Sequence, residues 1–195
     1  KEQRHLLELL RPKVVITDAH SIPAMREAAR ETAWPRVSFV HQLPRSQLGP
    51  RELDLEELMA GAAPELQTAR THGEDYARWS FTGGSTGFPK VVPASHAGLI
   101  HNFASFQEIA GYTADDVILP VPKLYFGYGR TASIIHPFRA GAAAIVFPER
   151  STPEQLFVLM NEHQPTVLAL VPTAIKKMLA MPKASRPRLE RLRLC

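Results

Sequence analysis

Apolar and polar positions along the chain switch between two periods, one near two residues and one near three and a half. Val14-Val15-Ile16-Thr17 is a β-branched run behind Pro12 and predicts a strand. Ile22 to Thr32 carries helical spacing behind Ser21, with Pro23 acceptable in a first turn. Val37 to Val40 reads as a second strand and Leu53 to Ala60 as a second helix. Gly61 to Glu74 is rich in Ala, Pro and Thr, which marks a boundary. The expected division is a first α/β segment at 1–75, incomplete at its start, and a second segment at 76–195.

The second segment begins with a strand, Trp79 to Thr82, passes through a Gly-rich stretch and resumes at Val91-Val92, where Pro93 is expected to stop it. Ser95 can cap a helix from Ala97 to Ala110 that ends at Gly111. Three apolar β-type runs follow, at Val117 to Val121, Ala142 to Phe147 and Thr166 to Val171. A helix at Pro153 to His163, capped by Ser151 or Thr152, separates the last two. Strands alternating with helices predict an α/β fold, a layered and largely parallel sheet flanked by helices.

Composition narrows the function classes. Apolar residues are 45% of the 195, the proportion of an ordinary globular protein with a substantial core. The longest uncharged stretches, Val91 to Gln107 and Gln164 to Ile175, fall short of the roughly 20 apolar residues of a membrane span. The chain opens without Met or a signal-like apolar core, so a processed or truncated start is expected. Cys195 is the one cysteine. No internal disulfide or thiolate cluster can form, which favours a cytoplasmic setting. Much of the net charge of +4 sits between Lys183 and Arg193, where no aromatic residues interleave. That run reads as a solvated helix or strand flank, and no nucleic-acid partner is expected.

The chemistry concentrates in Thr82-Gly83-Gly84-Ser85-Thr86-Gly87-Phe88-Pro89-Lys90. A loop that wraps a polyphosphate needs backbone N–H groups turned inward, and Gly adopts the required conformations at least cost. Ser85 and Thr86 offer hydroxyl donors or a magnesium ligand, and Lys90 a point charge for terminal phosphates. The alternative is a linker that happens to be rich in Gly, Ser and Thr. A loop that leaves an apolar strand and ends on Lys favours phosphate binding. A Walker loop is excluded, because Phe88-Pro89 intervene before Lys90 and Val91 follows it.

The run from Gly84 to Lys90 resembles the signature of the adenylate-forming superfamily, Ser/Thr-Ser-Gly-Ser/Thr-Thr-Gly-x-Pro-Lys-Gly. Gly83 stands where Ser or Thr is usual, and Val91 where Gly is usual. Lys123-Leu-Tyr125-Phe126-Gly127-Tyr128-Gly129, then Pro137-Phe138 and Gly141-Ala-Ala, is similar to the acyl-pocket segment of benzoate-CoA ligases. Trp79, His96 and the stretch from Pro165 to Thr173 extend the likeness collinearly. The resemblance implies a part of the large N-terminal domain of such a ligase, without the small C-terminal domain.

It further implies that a carboxylate attacks the α-phosphate of ATP, giving an acyl-adenylate and pyrophosphate, and that CoA thiol then displaces AMP. ATP, Mg2+ and CoA are the implied cofactor and co-substrates, with an aromatic acid as the small-molecule partner and a homodimer compatible. Thr82, Gly83, Gly84, Ser85, Thr86, Gly87 and Lys90 would hold the phosphates, with Thr86 near magnesium and Lys90 and Thr86 catalytic. Tyr125, Phe126, Gly127, Tyr128 and Gly129 would line the acid, the rings stacking on it and the glycines leaving room. For these residues core packing at a strand end is the alternative. The family's adenine, ribose and C-terminal lysine segments are not found here, so a fragment inactive alone is expected.

Three other functions stay open at this point: an adenylation domain that loads a carrier protein, a non-catalytic nucleotide-binding module, and an NAD-dependent oxidoreductase. The last rests on Gly127-x-Gly129-x-x-Ala132 with Glu149 beyond it, although Pro122 to Phe126 intervene between that fingerprint and the preceding strand. His96, His136 and Lys123 read as capping or packing groups. Asp115-Asp116 read as turn residues.

Overall fold

The computed structural model describes residues 2–83, 87 and 89–195. The chain divides into two compact units, one of residues 1–71 with 81–92 and the other of residues 72–80 with 93–195. In the first, α1 (Glu2–Leu10) leads to β1 (Val14–Asp18), α2 (Ile22–Ala29) and β2 (Val37–His41). β3 (Glu52–Asp54) and α3 (Leu55–Ala60) follow. β1 pairs with β2 and β2 with β3, both parallel. Ile22, Val40 and Leu43 form the buried cluster beside this sheet.

Two boundaries differ from the sequence expectation, each for a local reason. α2 ends at Ala29 rather than Thr32, where the Thr32 hydroxyl accepts from Trp34 N–H (3.0 Å) and donates to Trp34 C=O (2.6 Å). This side chain offers the backbone a turn in place of another helical bond. The expected helix from Leu53 begins two residues later, because Asp54 caps it: its carboxylate accepts from Glu57 N–H at 3.1 Å.

β4 (Tyr76–Thr82) and β5 (Lys90–Ser95) pair as a two-stranded sheet. Pro93 does not stop β5, since a strand at a sheet edge has N–H groups that need no partner strand. In the second unit α4 (His96–Ala110) starts at Ser95, whose hydroxyl accepts from Gly98 N–H at 3.1 Å, and stops at Gly111 in the left-handed conformation. β6 (Val117–Pro120) lies between β7 (Ala143–Ala144) and β8 (Val167–Ala169), paired parallel to both. β7 is shorter than expected: pairing ends once Ile145 N–H donates to Ile118 C=O (2.9 Å), and the carbonyls of Phe147 and Glu149 serve Lys123 instead.

Between β6 and β7 run α5 (Gly127–Arg130), one π turn (Thr131–Ile135) and α6 (His136–Ala140). α7 (Pro153–His163) is capped by Thr152, while the Ser151 hydroxyl donates to Val121 C=O at 2.9 Å. α8 (Pro172–Ala180) follows β8. Leu119, Leu156, Met160 and Leu168 form the centre of the main core, each such side chain stabilising the fold by about 1.5–3 kcal/mol.

The basic terminal run is partly built into the fold rather than solvated. Arg193 N–H donates to Thr166 C=O (2.9 Å), and its guanidinium pairs with the buried Asp116. Asp116 is therefore more than a turn residue. Thr166 Oγ1 donates to its Oδ1 at 2.6 Å and Thr113 N–H to its Oδ2 at 2.8 Å. The Arg193 ion pair, ahead of the other bonds, holds this carboxyl far below the usual carboxylate range.

Candidate functional site

The motif of residues 82–90 runs from the last residue of β4 to the first of β5. Of the nine, Thr82, Gly83, Gly87, Pro89 and Lys90 are described; Gly84, Ser85, Thr86 and Phe88 lie outside the described residues. Gly87 has φ +142°, which side-chain-bearing residues rarely adopt, so its backbone requires glycine. A Cβ at Gly83 would meet nothing within 4 Å. Thr82, Gly83, Gly87 and Lys90 are all exposed, and Lys90 forms no ion pair among the described residues. The described part of the loop thus presents open backbone and an unneutralised ammonium group, chemistry suited to an anionic ligand.

The residues expected to line the acid, Tyr125 to Gly129, belong to the second unit and follow β6. Parallel strands end their chains on one edge, and the crevice beyond those carboxyl ends is where open α/β sheets bind ligands. A cavity of about 540 Å³ lies there, lined by Val121, Lys123, Tyr125, Phe126, Tyr128 and Thr173 among others. Tyr125, Phe126 and Tyr128 are 76%, 56% and 48% exposed, large values for aromatic side chains. The rings of Tyr125 and Phe126 pack at 4.5 Å. The structure brings these three rings to one cavity.

Local contacts fix the loop that carries them. Phe126 N–H donates to Lys123 C=O at 3.0 Å, closing a turn. Lys123 Nζ donates to the carbonyls of Phe147 (2.9 Å) and Glu149 and sits 3.6 Å from the centre of the Phe147 ring. Burial pushes the Lys123 ammonium down and the Tyr128 phenol up from their ordinary values. Lys123, ranked low from the sequence, is thus the tie that holds the pocket loop to the end of the β7 segment.

The two glycines of the motif have different reasons to be glycine. A Cβ at Gly129 would lie 2.2 Å from the Lys123 carbonyl oxygen and 2.3 Å from that of Pro122, so a close backbone approach explains it. At Gly127 a Cβ would meet nothing within 4 Å. The Gly127-x-Gly129-x-x-Ala132 run is the start of a helix that begins seven residues past the end of β6, with Thr131 and Ser133 hydroxyls donating to Gly127 and Gly129 carbonyls at 2.9 and 2.6 Å.

His136 lies 3% exposed among Phe103, Phe106 and Tyr112, stacked on Phe106 at 4.5 Å. Neither ring nitrogen has a hydrogen-bond partner among the described residues, and burial pushes its pKa down. His96 opens α4, its N–H donating to Asp75 C=O at 3.1 Å. Two arginines that sequence reasoning passed over, Arg78 in β4 and Arg130 in α5, carry shielded guanidinium nitrogens without partners among the described residues. The signal available was the same-face alternation of Arg78, Ser80 and Thr82 along the strand.

No helix among the described residues is long and apolar enough to cross a membrane. The chain is 35% identical, over 196 aligned residues, to the 4-hydroxybenzoate–CoA/benzoate–CoA ligase of Rhodopseudomonas palustris, covering all of this chain and 35% of that protein. It is also 35% identical to the benzoate–CoA ligase of Thauera aromatica over 75% of this chain and 28% of that one. Among solved structures, a benzoate CoA ligase from Burkholderia xenovorans LB400 superposes with a TM-score of 0.80 at 27% identity, covering all of this chain and 37% of that one. The anthranilate CoA ligase AuaEII, in complex with anthranoyl-AMP, has the same fold, with a TM-score of 0.87 at 24% identity over all of this chain and 37% of that one. The chain therefore spans about a third of the length of the curated relatives it matches. With all of residues 1–195 matched by the AMP-binding enzyme family, the chain belongs to that family.

Proposed function

We propose that the protein containing this chain activates an aromatic carboxylic acid with ATP and transfers the acyl group to CoA. The carboxylate oxygen attacks the α-phosphorus and pyrophosphate leaves. The CoA sulfur, losing its proton, then attacks the acyl carbon and AMP leaves. The carboxylate is already a competent nucleophile, so the protein's work is alignment and neutralisation of charge on the leaving pyrophosphate. Lys90 and the glycine-rich loop serve that role here. Thr86 is the residue that would hold the magnesium accompanying ATP, whose charge would add to that of Lys90.

The observation that carries the aromatic reading is the cavity at the strand ends, with Tyr125, Phe126 and Tyr128 exposed around it. Rings left uncovered at a pocket supply flat stacking faces for another ring. The names of the two curated relatives, which act on benzoate or 4-hydroxybenzoate, support the same class. An oxidoreductase reading has no support in a helix that begins so far from its strand.

The test is exchange of labelled pyrophosphate into ATP by the full-length protein, driven by a panel of aryl and alkyl acids. Aryl acids should drive exchange, and Lys90→Ala should slow it on the order of a hundredfold. No exchange with any acid would refute the assignment, and an unchanged rate in Lys90→Ala would refute the role given to Lys90.

A further inference from the structure

Arg78 and Arg130 present an electrostatic arrangement that the proposed reaction does not use. Arg78 and Ser80 lie two residues apart on the half-buried face of β4, while Trp79 between them is exposed. Arg130 is the last residue of α5, and its Nη2 donates to Ser80 Oγ at 3.2 Å. Arg78 Nε and Nη1 and Arg130 Nε are shielded from solvent and have no hydrogen-bond partner among the described residues. Burial pushes the Arg78 guanidinium down, and the neighbouring positive charge of Arg130 pushes it further the same way. Neither arginine pairs with a carboxylate among the described residues.

Two like charges held together, with their N–H groups turned away from water, are unfavourable unless something negative lies between them. A guanidinium is also the side chain whose planar fork matches the two oxygens of a carboxylate or a phosphoryl group. Elsewhere in the same unit each nitrogen of such a group has an acceptor: Arg193 donates to Asp116 and to the carbonyls of Ala110 and Gly111. Arg78 and Arg130 therefore stand out for shielded N–H groups, Arg78 Nε and Nη1 and Arg130 Nε, that have no acceptor among the described residues.

We propose that Arg78 and Arg130, with Arg130 braced by Ser80, form an oxyanion-binding site that takes a carboxylate or phosphoryl group through these unpaired N–H groups. The site stands on the arginines alone and does not depend on the acid-activating reading. Either the nucleotide or the acid could supply such an oxyanion, and the two are separated by probe.

The experiment follows the arginine Nε–H resonances of the 15N-labelled chain during titration with inorganic phosphate at fixed ionic strength. Both Arg78 and Arg130 signals should move together and saturate. Arg78→Gln and Arg130→Gln, each checked for native circular dichroism, should weaken the titration at least tenfold. Lys90→Ala should leave it unchanged, because the glycine-rich loop is a different site. Parallel titrations with pyrophosphate and benzoate assign the source by which saturates at lower concentration, and either ordering supports the site.

Signals that stay fixed, or drift without saturating, would overturn the proposal, as would a response abolished by Lys90→Ala. A folding readout guards against a variant that fails to fold. With the loop lysine removed in both chains, phosphate should raise the melting temperature of Lys90→Ala and leave that of the Lys90→Ala/Arg130→Gln double variant unmoved, by the linkage between binding and stability. An equal rise in both would count against the site.

Discussion

Replacing Asp116 by Asn tests whether the end of the chain is clasped to the centre of the second unit. Asp116 is 2% exposed and accepts from Arg193 Nε (2.8 Å), Arg193 Nη2, Thr166 Oγ1 (2.6 Å) and Thr113 N–H (2.8 Å). Arg193 also donates to the carbonyls of Ala110 (3.1 Å), the last residue of α4, and of Gly111 (3.0 Å), its cap. Breaking one side of a buried ion pair costs about 3–5 kcal/mol, because the partner charge is stranded. Arg193 is 39% exposed, so its guanidinium can partly rehydrate, which places Asp116→Asn nearer about 2–3 kcal/mol.

With a urea slope of about 2 kcal/mol per molar, that is a fall of roughly 1 M in the unfolding midpoint. The pH dependence has a definite sign. Arg193 holds the folded carboxyl below its ordinary 3.8, so its stabilisation is complete above that value and is lost as the pH falls through the folded one. Urea midpoints of the two chains should therefore lie furthest apart near neutrality and converge in acid. A variant with an unshifted midpoint at neutral pH, or a gap that persists undiminished in acid, would refute the clasp.

Gly129→Ala should destabilise the chain by roughly 1–3 kcal/mol in thermal or urea unfolding, since its Cβ would press on two backbone oxygens that cannot swing away. Gly127→Ala, with nothing within 4 Å, should leave unfolding nearly unchanged and act on acid binding, read as a rise in the KM for the acid in the full-length protein. His136→Phe should stabilise the chain by about 1–2 kcal/mol by removing from an aromatic cage two buried nitrogens that have no partner among the described residues. Because the folded pKa of His136 lies below its ordinary 6.5, the wild type loses stability as the pH falls below that value and the unfolded chain takes up the proton. The variant should lack that slope between neutrality and mild acid, and an identical slope in both chains would show that His136 is not its source.

Elements whose signals are local were legible in the sequence. The β-branched run at Val14, the Ser95 cap and the left-handed Gly111 depend on residues within a few positions of one another, and all three stand as expected. What escaped detection is what the fold brings together from a distance. Asp116 and Arg193 are 77 positions apart, so neither the adjacent Asp115 nor the basic run around Arg193 reveals their pairing. Lys123 reaches Phe147 and Glu149 across 24 and 26 positions. The same limit hid Arg130 beside Ser80, at a separation of 50. Pro93 misled for a different reason: its effect depends on whether a partner strand needs its N–H, which is a property of the sheet.

The pocket loop shows how a rigid frame and an open surface can be written into seven consecutive residues. Lys123 is spent on two backbone carbonyls and a ring face, and Gly129 on a backbone approach that excludes any Cβ. Ser151 holds the entry to the loop by donating to the Val121 carbonyl. With these ties the backbone of 121–129 is set by the protein itself, and Tyr125, Phe126 and Tyr128 keep their exposed rings for the cavity. Pre-organised loops lose less entropy on binding. Lys123→Met, which keeps the length of the stem but cannot donate, should therefore raise the KM for an aryl acid several-fold with little change in kcat. A fall in kcat at unchanged KM would instead place Lys123 in the chemical step and refute its role as a tie.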